Sequence, residues 1–253
     1  MGLVRTQGEA MTSEQLIRLY SEFFRAPKLD GTLAIKCSAP LLLDVRSSWE
    51  TSNVRLLVVG QETGGWGIEH GGYYEWSGPS ITCYKEFFES DRGIETLMHL
   101  YRLFNFATRQ PENWRSPFWR AFRELSSPPE VEPLWSNLFR CSVKNGSVIR
   151  NCSRDELQEI LESQRGLLQK EIKILKPNAV VFFTGPNYDF GIREEFEQVA
   201  FEPVARDRAG KFDRVVHEGL PDKCFRTYHP AYLQRTRRWQ WLEELVHLVR
   251  SAS

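Results

Sequence analysis

The sequence has no excess of charge of either sign. It contains 33 Lys and Arg residues and 33 Asp and Glu residues, so its formal net charge is zero. Many proteins that bind nucleic acid are strongly basic, and this chain lacks that overall attraction to a polyanion. Any contact with nucleic acid would therefore have to use a local patch of positive charge.

Long hydrophobic runs are also absent. The longest apolar runs, such as residues 179–183, are far too short to cross a bilayer, and the N-terminus lacks the basic-then-apolar pattern of a signal peptide. We therefore expect no membrane partner and a cytoplasmic location.

The sequence contains few residues arranged to hold a metal or a cofactor. Its five cysteines are dispersed without a C-x-x-C pair, and its histidines show no ligand-like spacing. The glycine-rich segment 60–67 has neither the G-x-G-x-x-G spacing of a dinucleotide site nor the G-K-[ST] of a phosphate-binding loop. We expect buried free thiols, no metal and no cofactor.

What is present indicates a folded chain. Apolar residues make up 41% and charged residues 26% of 253 residues, which is typical of a globular protein and within the length of one α/β domain. No internal repeat is evident. We therefore predict a single domain over residues 1–253, with residues 1–11 as a flexible end.

The pattern of apolar residues predicts an α/β fold. Short apolar runs predict strands at 54–59, 133–139, 179–184 and 224–227. Capping boxes at Thr12 and Ser153 predict helix starts, Lys176–Pro177 predicts a helix end, and a last helix is expected over 237–250. Segment 110–133 is predicted to be irregular, with a short helix at 119–125. We expect a central, mainly parallel sheet with helices on both faces.

Three polar motifs follow predicted strands. In open α/β sheets, ligands bind beyond the carboxyl ends of the strands, so the three motifs are expected to converge on one pocket. The motifs are Gly60–Gly64 (GQETG), Ser136–Leu138 (SNL) and Thr227–Pro230 (TYHP).

These motifs resemble those of the uracil-DNA glycosylase superfamily. The resemblance is strongest to the bacterial and archaeal branch, whose last motif is Thr-Tyr-His-Pro-Ala, and it covers roughly residues 54–235 in the family's order. It implies a uracil-DNA glycosylase-like fold and a DNA partner. That branch holds an iron–sulfur cluster on four cysteines, but only Cys141 stands at such a position here, so we expect no cluster.

The resemblance implies catalytic roles that agree with the chemistry of base excision. Cleavage of an N-glycosidic bond develops positive charge on the sugar and negative charge on the departing base. Glu62 would stabilise the sugar cation and hold or deprotonate water, and a neutral His229 would donate a hydrogen bond to the base oxygen. Asn137 offers N–H donors and a carbonyl acceptor to the edge of a pyrimidine. Gln61 is predicted to bind the base as well.

DNA contacts are implied as well. A flipped base is usually stacked on an aromatic ring, for which Trp76 is the first candidate and Tyr73 or Tyr74 the alternatives. Leu233, four residues after His229, is expected to be the apolar wedge that fills the space left by the flipped nucleotide. The residues expected to meet phosphates beside that wedge are Arg226, Arg235, Arg237 and Arg238.

Departures from the family pattern leave the substrate open. Glu62 replaces Asp, Asn or Ala, Thr63 replaces Pro, and Gly64–Gly65 leaves no bulky side chain that would exclude a 5-substituent. The base could be uracil or a bulky modified cytosine of the kind found in bacterial viruses, in repair or in antiviral defence. The predicted enzyme is a monofunctional glycosylase that leaves an abasic site, acts as a monomer and needs no obligate protein partner.

Other interpretations of the same residues remain. The chain could be a non-catalytic nucleic-acid-binding protein with a glycosylase-like fold, or a hydrolase of free nucleosides. Taken one at a time, the site residues also have structural explanations: Glu62 as a solvated loop residue, Asn137 and His229 as turn residues, and Trp76 as part of the core.

Overall fold

A computed structural model describes residues 7–106, 115–127 and 131–250 of the chain. Its helices are, in chain order, α1 (Gln7–Phe23), α2 (Gly31–Lys36), α3 (Ser48–Thr51), α4 (Tyr84–Glu89), α5 (Gly93–Phe106), α6 (Pro117–Ser126), α7 (Val148–Asn151), α8 (Arg154–Gln164), α9 (Leu167–Leu175), α10 (Asp189–Glu195), α11 (Pro230–Arg235) and α12 (Gln240–Arg250). Its strands are β1 (Val54–Gly60), β2 (Val131–Asn137), β3 (Ala179–Phe182), β4 (Ala200–Pro203), β5 (Phe212–Val216) and β6 (Lys223–Thr227).

The described residues form two compact units, where the sequence predicts one domain. The helical unit consists of residues 7–46, 62–106 and 139–167 and contains α1, α2, α4, α5, α7 and α8. The sheet unit consists of residues 47–61, 115–127, 131–138 and 168–250 and contains all six strands. No helix among the described residues is both long enough and apolar enough to span a membrane.

The sheet unit is an α/β structure with a mixed, mainly parallel sheet. Its strand order is β2-β1-β3-β6-β5-β4, in which the first four strands are parallel and β5 and β4 are antiparallel to their neighbours. The side chains from Leu56 to Val59 in β1 and from Ala179 to Phe182 in β3 are completely buried. Since consecutive residues of a strand point to opposite faces, both faces of the central sheet are covered.

The four strands predicted from the sequence are all present, within a few residues at each end. The sequence interpretation missed β4 and β5, because β4 is short and mostly exposed and because β5 contains charged residues. Pro133 is accommodated inside β2 because that strand lies at an edge of the sheet, where a missing N–H costs no ladder hydrogen bond.

Two helix predictions needed correction. α1 begins at Gln7, so Thr12 lies inside the helix rather than at its N-cap, and residues 7–11 are not a loose end. The buried Ser13 hydroxyl donates a hydrogen bond of 2.5 Å to Asp44 instead. Residues 1–6, 107–114 and 128–130 lie outside the described residues.

The helix predicted after Ser153 is divided in two. The capping box of Ser153 and Glu156 is confirmed at the start of α8. The chain then turns at Gly166, whose φ of 76° favours glycine, and resumes as α9 up to Leu175. The predicted short helix at 119–125 is part of the longer α6.

A buried ion cluster joins β5, β6 and α10 of the sheet unit. The guanidinium of Arg226, which is 1% exposed, lies 2.7 Å from Asp213 and 2.9 Å from Asp189. Burial raises the pKa of Asp189 to about 6, with Arg226 opposing and Asp213 adding to the increase. One guanidinium thus faces two carboxylates, of which Asp189 is the more exposed.

This cluster predicts a pH-dependent difference in stability between the wild type and an Asp189→Asn variant. The pKa of Asp189 rises from 3.8 to about 6 on folding. Its contribution to the free energy of unfolding is therefore fully present below about pH 4 and is lost as the pH rises through about 6. We expect the variant to gain about 1–2 kcal/mol relative to the wild type between pH 4 and pH 7. Urea unfolding of both proteins at four pH values measures this, and a pH-independent difference would contradict the assignment.

Candidate functional site

The carboxyl ends of β1, β2, β3 and β6 lie along one edge of the sheet, because these four strands are parallel. Gly60 ends β1 and stands directly opposite Asn137, which ends β2. The pairing continues one residue further, since the N–H of Leu138 donates to the carbonyl of Gly60 at 2.9 Å. Gly60 of the first motif and Asn137 of the second motif therefore meet at this edge.

Gly60 permits a close approach of two side chains. A Cβ atom at this position would lie 2.3 Å from Oδ1 of Asn137 and 3.2 Å from Cε2 of Phe118. A methyl group here would therefore force the Asn137 carboxamide to move. The missing side chain of Gly60 thus provides the space in which the Asn137 carboxamide and the Phe118 ring come together.

The Asn137 carboxamide has no hydrogen-bond partner among the described residues, although the residue as a whole is only 4% exposed. Neither of its amide atoms is among the completely buried polar atoms without a partner, so both can be reached from the edge of the sheet. A carboxamide offers two N–H donors and a carbonyl acceptor to a molecule that enters there. This arrangement favours a bound molecule with complementary polar groups over a purely structural role as a turn residue.

His229 is held as a neutral hydrogen-bond donor. It is the N-cap residue of α11, and its Nδ1 atom accepts the backbone N–H of Ala231 at 3.2 Å. Burial lowers the pKa of the His229 ring to about 4, so the imidazole is uncharged at neutral pH. A neutral ring that accepts at Nδ1 has its proton on Nε2.

Phe118 is a site residue that the sequence interpretation missed. Its half-buried ring lies nearly parallel to the His229 ring, with an interplanar angle of 18° and a centroid distance of 6.0 Å, and meets Phe183 edge-on at 6.3 Å. Ser116 caps α6 and Pro117 occupies its first turn, which is a recognisable helix start. That signal was available in the sequence, but segment 110–133 was predicted to be mostly irregular.

The Gln61 side chain forms a hydrogen bond at the same edge of the sheet. Its side-chain amide donates to the carbonyl of Thr184, just beyond β3, at 2.8 Å. This bond joins the chain after β1 to the chain after β3. The sheet unit therefore brings together Gln61, Phe118, Asn137 and His229.

Two predicted site residues belong to the helical unit. Glu62 is the first residue of one of its segments and is partly buried. The Trp76 indole donates to the carbonyl of Pro79 at 2.9 Å, and its ring centroid lies 5.9 Å from that of His99. The alternatives Tyr73 and Tyr74 pack edge-to-face against each other at 5.1 Å.

The placement of two predicted DNA contacts is wrong in this structure. Arg226 is buried between Asp189 and Asp213, so it does not face a phosphate. Leu233 is 0% exposed, because its side of α11 packs into the sheet unit, and it does not form an apolar wedge at the surface.

The other three arginines reach the surface. Arg235 and Arg237 are exposed, and Arg238 is partly exposed. The guanidinium of Arg235 lies 5.3 Å from the ring centroid of Tyr232, and that of Arg238 lies 5.4 Å from that of Trp241. These positions are compatible with phosphate contacts.

Within the described residues, no group of three or more His, Cys, Asp or Glu side chains could hold a metal ion. Comparisons with known proteins add no relative: no family model matches the chain, and no curated protein or solved structure matches it.

The state of His229 can be tested by NMR. Burial lowers the pKa from 6.5 to about 4, so we expect the ring to remain neutral with its proton on Nε2 between pH 7 and pH 5. A long-range proton–nitrogen correlation spectrum measures both properties, and a His229→Gln variant assigns the signal. A ring that titrates near pH 6.5, or that is protonated on Nδ1, would contradict this description.

Proposed function

We propose that the protein is a monofunctional DNA glycosylase, which hydrolyses the N-glycosidic bond of an extruded pyrimidine and leaves an abasic site. The observation that supports this most strongly is that two polar side chains flank the Phe118 ring: the Asn137 carboxamide, which has no hydrogen-bond partner among the described residues, and the neutral His229 imidazole. The resemblance of the three motifs to uracil-DNA glycosylases points to the same chemistry.

The orientation of the rings suits a bound base. A pyrimidine stacked on Phe118 would lie nearly parallel to the His229 ring, since the planes of the two side-chain rings differ by 18°. In this proposal, Nε2–H of His229 donates to a carbonyl oxygen of the base, near the plane in which such an oxygen accepts best. Asn137 pairs with another polar edge of the base.

The reaction is a hydrolysis at the sugar C1′ atom. The bond between C1′ and the base nitrogen breaks with its electron pair moving to the base, and a water oxygen forms the new bond to C1′. The water loses one proton in this step, and the departing base anion takes up one proton, so the hydrolysis balances. His229 stabilises the negative charge that develops on the base oxygen, as a fixed donor in a desolvated site. A neutral imidazole is suited to this role because it carries no charge whose hydration shell would have to be removed before the ring donates a hydrogen bond.

Glu62 is proposed to stabilise the cationic sugar and to hold the attacking water. This role rests on the chemistry of a carboxylate and on its place directly after Gln61 in the first motif. The base is proposed to be uracil or a modified cytosine, because Gly64 and Gly65 add no side chain that would exclude a 5-substituent.

Activity can be tested on defined oligonucleotides. Strands that contain uracil, 5-hydroxymethylcytosine or its glucosylated form are incubated with protein and then treated with alkali, which cleaves at abasic sites. We expect cleavage of at least one substrate, and a loss of about 10²–10³ in kcat for Asn137→Ala and for His229→Ala.

The alternatives give different results in the same assay. If every strand stays intact while DNA is bound, the protein is a non-catalytic binder. Cleavage of free nucleosides but not of strands would indicate a nucleoside hydrolase. A Glu62→Gln variant that keeps full activity would remove Glu62 from the mechanism and leave the rest of the proposal standing.

Two aromatic variants decide which ring stacks the base. We expect Phe118→Ala to lower kcat/KM by about 10- to 100-fold, because stacking of a base on an aromatic ring contributes about 1–3 kcal/mol. Phe118→Tyr keeps the ring and is the matched control. If Trp76→Ala causes the larger loss while Phe118→Ala is fully active, Trp76 is the stacking residue.

A further inference from the structure

A row of nearly parallel aromatic rings lies beside His229 in the sheet unit. Tyr228 and Tyr232 are stacked with centroids 4.3 Å apart and an interplanar angle of 26°. Tyr228 is also nearly parallel to Trp241, at 6.4 Å and 22°. Tyr232 and Tyr228 are partly exposed, so this row ends at the surface rather than within the core.

Arginines accompany the rings. Arg235 lies over Tyr232, and Arg238 lies over Trp241. No described carboxylate forms an ion pair with Arg235, Arg237 or Arg238. We call the group of Tyr228, Tyr232, Arg235 and Arg238 the tyrosine–arginine surface, which packs on the buried Trp241. Aromatic faces combined with unneutralised arginines are the composition that binds the bases and phosphates of a single strand.

The tyrosine–arginine surface is close to the proposed reaction centre. Tyr232 follows His229 by three residues, and its N–H donates to the carbonyl of His229 at 2.8 Å. Because Tyr232 lies within one helical turn of His229, a strand with its target base at His229 would pass close to Tyr232.

The side chain that was expected to open a duplex does not reach the surface, because Leu233 is completely buried. Enzymes that extrude a base from a duplex commonly insert an apolar side chain into the space it leaves. A base that is already unpaired needs no such insertion.

We infer that the substrate is single-stranded DNA, and that a nucleotide next to the target stacks on the face of Tyr232 that Tyr228 does not cover, while Arg235 contacts its phosphate. This inference rests on the proposed function, because it takes the target base to lie at His229. It makes Tyr232 a positioning residue rather than a catalytic one.

The inference is tested by fluorescence anisotropy with oligonucleotides that contain no target base, as a single strand and as a duplex, over a range of salt concentrations. We expect the wild type to bind the single strand at least about tenfold more tightly. Tyr232→Ala should weaken this binding by about tenfold without changing its salt dependence, because a stacked ring releases no counterions. Arg235→Gln should reduce the slope of log K against log salt by about 0.7.

Two control variants distinguish the loss of a contact with DNA from the loss of the folded structure. Gln234→Ala changes an exposed neighbour on the same helix and should bind as the wild type does, and Tyr232→Phe keeps the ring and should retain single-strand binding. Equal or tighter binding to the duplex, or an unchanged affinity in Tyr232→Ala, would overturn the inference. These outcomes do not depend on base release, so they are distinguishable from a failure of the glycosylase proposal, in which no substrate loses its base.

Discussion

The close contact of Gly60 with Asn137 and Phe118 is the constraint on which the site depends. Parallel pairing of β1 with β2 places Gly60 opposite Asn137, and the absence of a side chain at Gly60 admits both the carboxamide and the ring. A larger residue there would displace one or both of them. The glycine of the first motif therefore has a packing role, and the chemistry belongs to the residues that surround it.

His229 acquires its properties from the start of a helix. As the N-cap of α11 it accepts a backbone N–H at Nδ1, and burial keeps the ring neutral, so both its tautomer and its charge are set by the fold. An imidazole with its proton held on Nε2 is a donor in a fixed direction. Such a preorganised donor stabilises charge that develops during a reaction without a cost of reorientation.

The sequence predicted the parts of the fold that depend on local patterns. Short apolar runs located β1, β2, β3 and β6, and the strand-end motifs located Asn137. The remaining features depend on tertiary packing. β4 and β5 are mixed in polarity, and they are strands because β5 pairs with β6 and β4 pairs with β5. Leu233 was predicted to be exposed from its place in a motif, and only the packing of α11 shows that it is buried.

The central claim is that this edge of the sheet releases a pyrimidine base by hydrolysis. Mass spectrometry of a reaction with a single-stranded oligonucleotide tests it directly, because both products are identified. The account predicts a free base and an abasic strand with an unbroken phosphodiester backbone, and neither product with the His229→Ala variant in the same time. An unchanged oligonucleotide for every pyrimidine tested, or strand cleavage without a free base, would contradict it.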